Sequence, residues 1–88
     1  MKLETEQGLI ERYIDLDTER YAGGRADARL KESGVSVWAI VAFLPVYDSD
    51  IARVADHFSI SETEVHAALA YYHRNKAYVD ARIALNRA

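Results

Sequence analysis

The side chains best suited to chemistry in this chain are three histidines, His57, His66 and His73, and a group of acids that includes Asp48, Asp50, Asp56, Glu62 and Glu64. Metal binding is the first chemistry they suggest, and helix geometry argues against it. His66 and His73 lie about 10 Å apart along one helix at 1.5 Å per residue, too far to share an ion. Glu62 and His66 stand one turn apart, a spacing that ordinary helix pairs use far more often than ions do. Catalysis fares no better, because there is no cysteine, no serine with a credible histidine and acid partner, and no glycine loop that would cradle a phosphate. Asp48 and Asp50 flank a helix start, where the helix dipole favours acids whatever else they do. No catalytic residue, metal ligand or cofactor is therefore expected, and the chain reads as a non-enzymatic protein.

Recognition of a macromolecule is better placed. Residues 49–72 read as two helices joined by a short turn, a helix-turn-helix. Ile51, Val54, Ala55 and Phe58 share one face of the first helix, with Ser49 as its expected cap. Ser61-Glu62-Thr63-Glu64 opens the second as a capping box, and Val65, Ala68, Leu69 and Tyr72 form its buried stripe. Ala55 allows a close crossing, Ile60 plugs the turn and Val65 closes the corner. The turn carries Ser59 where glycine is usual, so a left-handed backbone there is strained.

In a DNA reader the early positions of the second helix meet base edges in the major groove. Here these are Thr63, His66 and Ala67. Phosphate contacts fall to Arg53 and to Arg25, Arg29 and Lys31 on the expected wing, and four cations give only a modest salt slope. Glu62 and Glu64 oppose this reading, since glutamate repels phosphate more often than it accepts from cytosine. Their plain role is to favour the helix start. The same helix offers a second use. Ala67 and Ala70, expected on an exposed face with Tyr71 beside them, would let another helix approach closely, and aromatic residues are enriched at interface centres. Ala70 and Tyr71, with Tyr78, Val79 and Ile83 of the last helix, are the candidate interface; the plain alternative is that the tyrosines pack that helix onto the domain.

The elements around this motif must come from 88 residues, half of them apolar, which suffices for one domain and one core. A charged and broken amino terminus speaks against a signal peptide, and no apolar run approaches the ~18 residues of a membrane span. A cytoplasmic protein is expected. The net charge of −3 argues against broad affinity for nucleic acid, though a specific reader can cluster its basic residues. Residues 1–11 read as a tail or a short helix, and residues 12–88 as the single domain. RYIDL at 12–16 has the content of a short strand. Gly23-Gly24 marks a turn, and residues 26–31 alternate Ala26, Ala28 and Leu30 with Asp27, Arg29 and Lys31, the period-two pattern of a half-buried strand. A β hairpin is the expectation. Ser36 caps a nearly all-apolar helix over 37–44, stopped or kinked at Pro45. Asn75 ends the second motif helix in a left-handed cap, and a last helix runs from Lys76 to about Arg87 with Val79 and Ile83 on one face and Tyr78 and Leu85 on a neighbouring one.

Assembled, these residues resemble a bacterial and archaeal family known as a domain of unknown function, number four-three-three, grouped with VapB-type antitoxins. The likeness is carried by Gly23-Gly24, by Ala28 through Val41 with its Val37-Trp38 and Ile40-Val41 pairs, by the helix-turn-helix ending in Ala68-Leu69-Ala70-Tyr71-Tyr72, and by Asp80-Ala81-Arg82-Ile83. It covers about residues 13–85. Glu32 stands where the family usually has glycine and Gly34 where many members have arginine, so no basic contact is carried over at that turn. The resemblance implies a winged-helix-like fold, a homodimer and, for some members, pairing with a PIN-like toxin nuclease.

The expected fold is thus mainly α with a short β hairpin, a winged-helix-like helix-turn-helix domain. The expected function is that of an antitoxin or transcription regulator that binds operator DNA and a PIN-like toxin. A protein-interaction or dimerisation module that has lost DNA binding is the alternative. The position of Arg25, Arg29, Lys31 and Arg53 relative to His66 separates the two.

Overall fold

The computed structural model describes residues 5–87 as five α-helices, α1 Glu6–Tyr13, α2 Val37–Phe43, α3 Ile51–Phe58, α4 Glu62–Arg74 and α5 Lys76–Arg87, with short 3-10 turns at Thr18–Arg20, Gly24–Asp27 and Pro45–Tyr47. α1 starts where Thr5 accepts a hydrogen bond from the Gly8 amide at 3.0 Å. It runs through Arg12 and Tyr13, which correspond to the first half of the expected strand.

No strand forms among the described residues, so the hairpin and the wing are corrected. Ala26 and Asp27, the start of the second expected strand, belong to a 3-10 turn over Gly24–Asp27. Past that turn the backbone is extended and held by two isolated antiparallel bridges, Ile14 to Leu30 and Arg29 to Ser36. The Asp15 amide donates to the Arg29 carbonyl and the Lys31 amide to the Tyr13 carbonyl, both at 2.9 Å. The Leu30 amide reaches the Val35 carbonyl at 2.9 Å, which closes a turn at Gly34 whose φ of 76° suits glycine. The two glycines at 23 and 24 serve different ends. Gly24 has φ 58°, whereas a Cβ on Gly23 would stand 2.3 Å from an Asp27 carboxylate oxygen. That carboxylate accepts from the Gly23 amide and from Arg82 of α5, each at 3.0 Å.

The helix-turn-helix forms as α3 and α4. Asp50 caps α3, its carboxylate accepting from the Arg53 amide at 3.2 Å. Ser49, the expected cap, has φ 62°, outside the extended conformation a cap needs. Ser59 is left-handed, φ 56° and ψ 45°. The capping box closes in both directions, Glu64 amide to Ser61 Oγ at 3.1 Å and Ser61 amide to Glu64 Oε1 at 3.0 Å. Asn75, by contrast, ends α4 at φ −131°, with its side-chain amide donating to the Tyr71 carbonyl at 3.0 Å in place of a left-handed cap.

α4 is the axle of the domain. It packs most extensively against α1, then against α2, α3 and α5. Ile14, Leu30, Val37, Ile40, Val54, Val65 and Val79 are fully buried around it. No helix of the described residues is long and apolar enough to cross a membrane.

Candidate functional site

The surface that a helix-turn-helix presents is set by what its second helix leaves open. On α4 the exposed residues are Glu62, Thr63, His66, His73 and Arg74, with Leu69 half-buried among them. The reason is α1, which lies along the helix. Glu6 accepts from His73 Nδ1 at 2.9 Å and stands 3.7 Å from Arg74 Nε, and Arg74 also donates to Gln7. The hydrogen bond from His73 is the main cause that holds the Glu6 carboxyl below the usual carboxylate range.

Two expectations are corrected by this packing. Ala67 and Ala70 are not exposed; their relative accessibilities are 0% and 3%, so Ala67 cannot meet a base edge and Ala70 cannot seat a partner helix. Tyr71 is buried as well. Its hydroxyl donates to the Arg25 carbonyl at 2.9 Å, and burial raises its pKa. On α5, Val79 is fully buried and Ile83 packs against the core, which removes both from an outer interface. Of the five interface candidates only Tyr78 is open, at 51%.

Thr63 and His66 do stand in solvent, and neither makes a side-chain hydrogen bond with another described residue. The cations that would accompany them are dispersed. Arg25 lies 5.6 Å over the Tyr78 ring, Arg29 4.8 Å over Tyr21 and Arg53 5.3 Å over Tyr47. Lys31 donates to the Glu11 carbonyl at 2.6 Å. Lys31 comes near the start of α4, in a cleft of about 420 Å³ that it lines with Arg12, Tyr13, Glu32, Ser61 and Glu64. Two glutamates in that lining offset its two cations. The acids considered for catalysis do not converge either: Asp50 is spent on a cap, and no group of three His, Asp or Glu among the described residues is placed to hold a metal ion.

Two further features mark the surface, the first of which the sequence did not suggest. Tyr47 and His57 join at 2.9 Å, with His57 stacked on Phe43 at a centroid distance of 4.5 Å; α3 uses them to pin the Pro45–Tyr47 turn. The other is the outer side of α5, where Tyr78 and Leu85 are 51% and 71% exposed. This agrees with the spacing expected for α5, which set Tyr78 and Leu85 on a face apart from Val79 and Ile83.

The class defined by these observations is a five-helix domain built on a helix-turn-helix whose second helix is its central core element. Against protein-family models, curated proteins and solved structures, the chain finds no match. The likeness to the antitoxin-related family rests on the residues that carry it.

Proposed function

We propose that this chain is a non-enzymatic protein-interaction module in which the helix-turn-helix serves as structural core and not as a DNA reader. The observation that carries the reading is the burial of Ala67, Ala70 and Tyr71 beneath neighbouring elements, which leaves α4 an open stripe that begins at Glu62. A groove-reading helix needs several side chains at base edges and phosphate contacts beside them to fix its register. Here the four cations point to four separate neighbours, and an acidic first turn would face the phosphates.

The regulator reading keeps one favourable observation, the solvent-facing Thr63 and His66. Binding to a labelled fragment from upstream of the chain's own gene, at two salt concentrations and with random-sequence competitor, separates the readings. Absence of sequence-selective retention by the folded protein is expected. Selective retention that weakens with salt and is lost in Thr63→Ala and His66→Ala would overturn the proposal and restore operator binding, with a PIN-like nuclease as the partner to seek next.

A further inference from the structure

A cleft of about 230 Å³ opens where the last turn of α4 meets the segment from Leu16 to Arg25. The buried Ile10 and Tyr71 form its apolar floor, and Leu16, 54% exposed, stands at its rim. Arg25 and Arg74 also line it, and no carboxylate does, although the chain carries a net charge of −3. The nearby acids are engaged elsewhere or only graze the site. Asp15 and Asp17 pair with Arg20, Glu19 is outside the lining, and Glu6 is shared between His73 and Arg74. Arg25 makes no ion pair with another described residue.

Arg25 is held in place without its charge being spent. Its carbonyl accepts from the buried Tyr71 hydroxyl at 2.9 Å, and Asp27, two residues on, accepts from Arg82 of α5 at 3.0 Å. The turn that carries Arg25 is thereby anchored to both helices behind it. Its guanidinium lies 5.6 Å over the Tyr78 ring. A stacked guanidinium keeps the N–H donors on its edge for a planar acceptor, and carboxylate geometry matches that fork. Arg74 is steadied by Gln7. Asn75 donates its side-chain amide to the Tyr71 carbonyl, which blunts the negative end of the α4 dipole and leaves Asn75 Oδ1 as an acceptor in the same lining. The Thr18 hydroxyl has no partner among the described residues and adds a donor.

From this lining we infer that the cleft receives the C-terminal residue of a partner polypeptide. Its free carboxylate meets Arg25 and Arg74, its aliphatic side chain rests against Ile10, Leu16 and Tyr71, and its amide N–H donates to Asn75 Oδ1. The inference rests on the interaction-module reading and names what the partner presents. Three requirements select this chemistry. Inorganic phosphate would leave the apolar floor unused, a free amino acid would bring its ammonium against two arginines, and a nucleotide exceeds a cleft smaller than the ~300 Å³ at which ordinary ligand pockets begin. An acylated terminal residue supplies acceptor, apolar group and donor in one unit, and capture of a C-terminal carboxylate is a recurrent mode of peptide recognition.

N-acetyl-leucine is the smallest probe with all three groups, and at the efficiency of ordinary ligands it binds with a Kd on the order of a few millimolar. In a heteronuclear NMR titration, shifts are expected at the Asn75 side-chain amide and at the backbone amides of Thr18 and Arg25. N-acetyl-leucinamide, which lacks the charge, and N-acetylglycine, which lacks the side chain, are each expected to bind at least about fivefold more weakly. Arg25→Gln lowers affinity for N-acetyl-leucine by a similar factor, and Leu16→Ser removes the preference over N-acetylglycine. Arg53→Gln, on α3 and outside the cleft, changes nothing, and unchanged spectra elsewhere show that each variant folds. A pentapeptide with a free C-terminal leucine binds at least as tightly as N-acetyl-leucine. Equal affinity for the leucinamide, inorganic phosphate bound as tightly as N-acetyl-leucine, exclusion of the pentapeptide, an Arg25→Gln variant without effect, or no saturating shift at about 20 mM, well above the expected Kd, each overturns the assignment. Failure here in a protein that ignores DNA leaves the interaction-module reading standing, whereas binding here by a protein that selects operator DNA removes that reading and leaves the cleft.

Discussion

Replacing Ser59 by glycine is expected to raise the stability of the domain. Ser59 ends α3 at φ 56° and ψ 45°, in the middle of the left-handed region, where an L-residue with a Cβ carries a strain of roughly 1–2 kcal/mol. Glycine removes that strain but gives up more conformational freedom on folding, a loss of about 0.5–1 kcal/mol. The serine side chain makes no hydrogen bond with another described residue, so no contact is forfeited. The Ser59 and Ile60 amides keep their bonds to Asp56 and Ala55 carbonyls at 3.1 and 3.0 Å. The net gain is about 0.5–1 kcal/mol, which for a domain of this size raises Tm by about 2–8 °C. Gly34→Ala runs the same physics backwards. Gly34 has φ 76° and open space around the site of a Cβ, so its penalty is one of backbone alone, about 1 kcal/mol, or a Tm lower by about 4–8 °C. Calorimetry on the two variants and the wild type in one buffer decides the matter. Shifts of the same sign, or a lower Tm for Ser59→Gly, would refute the argument that left-handed strain is stored at the motif's turn.

Tyr71→Phe removes the hydroxyl that donates to the Arg25 carbonyl without opening a cavity; urea titration should show a loss of about 1 kcal/mol at unchanged slope. Acid should weaken the fold through carboxylates whose pKa is lowered on folding: Glu6 by its bond from His73, Asp15 by its bond from Tyr21 and Asp80 by its bond from Lys76. Because the unfolded chain takes up these protons first, their contribution is present above the ordinary carboxylate range and is lost as pH falls through the lowered values. Tm is therefore expected to be level above about pH 5 and to fall below about pH 4, and Glu6→Gln should make that fall shallower.

The helix-turn-helix was legible in the sequence because its determinants are local. A capping box needs residues three apart, and the stripes of α3 and α4 repeat within a few turns. The hairpin misled for an instructive reason. Alternation between 28 and 31 is real, with Ala28 and Leu30 buried and Arg29 and Lys31 exposed, but alternation fixes which way side chains face and says nothing about how far a ladder extends. Here Gly24–Asp27 coils on one side and the Gly34 turn interrupts on the other, so single bridges are all that fits. The misplacement of Ala67 and Ala70 has the opposite origin. Their burial depends on α1, whose few apolar residues, Leu9, Ile10 and Tyr13, give little sign of a docked helix. A side chain is exposed only relative to what lies over it, and that neighbour comes from the far end of the chain. Ser49 failed as a cap because the Pro45–Tyr47 turn sends the backbone through two left-handed residues, Asp48 and Ser49, which delays the start of α3 by one position.

The pairing of α1 with α4 has a consequence for synthesis. Glu6 and its partner His73 are separated by 67 residues, so a ribosome extends the chain for roughly 3–13 s between making one and making the other, at ~5–20 residues per second. Throughout that interval α1 has no docking surface, and Ile10 stays open to solvent or to other chains. α1 can dock only once α4 has been made, which leaves the nascent chain, with Ile10 still uncovered, more exposed to chaperones and to misassociation than the folded domain.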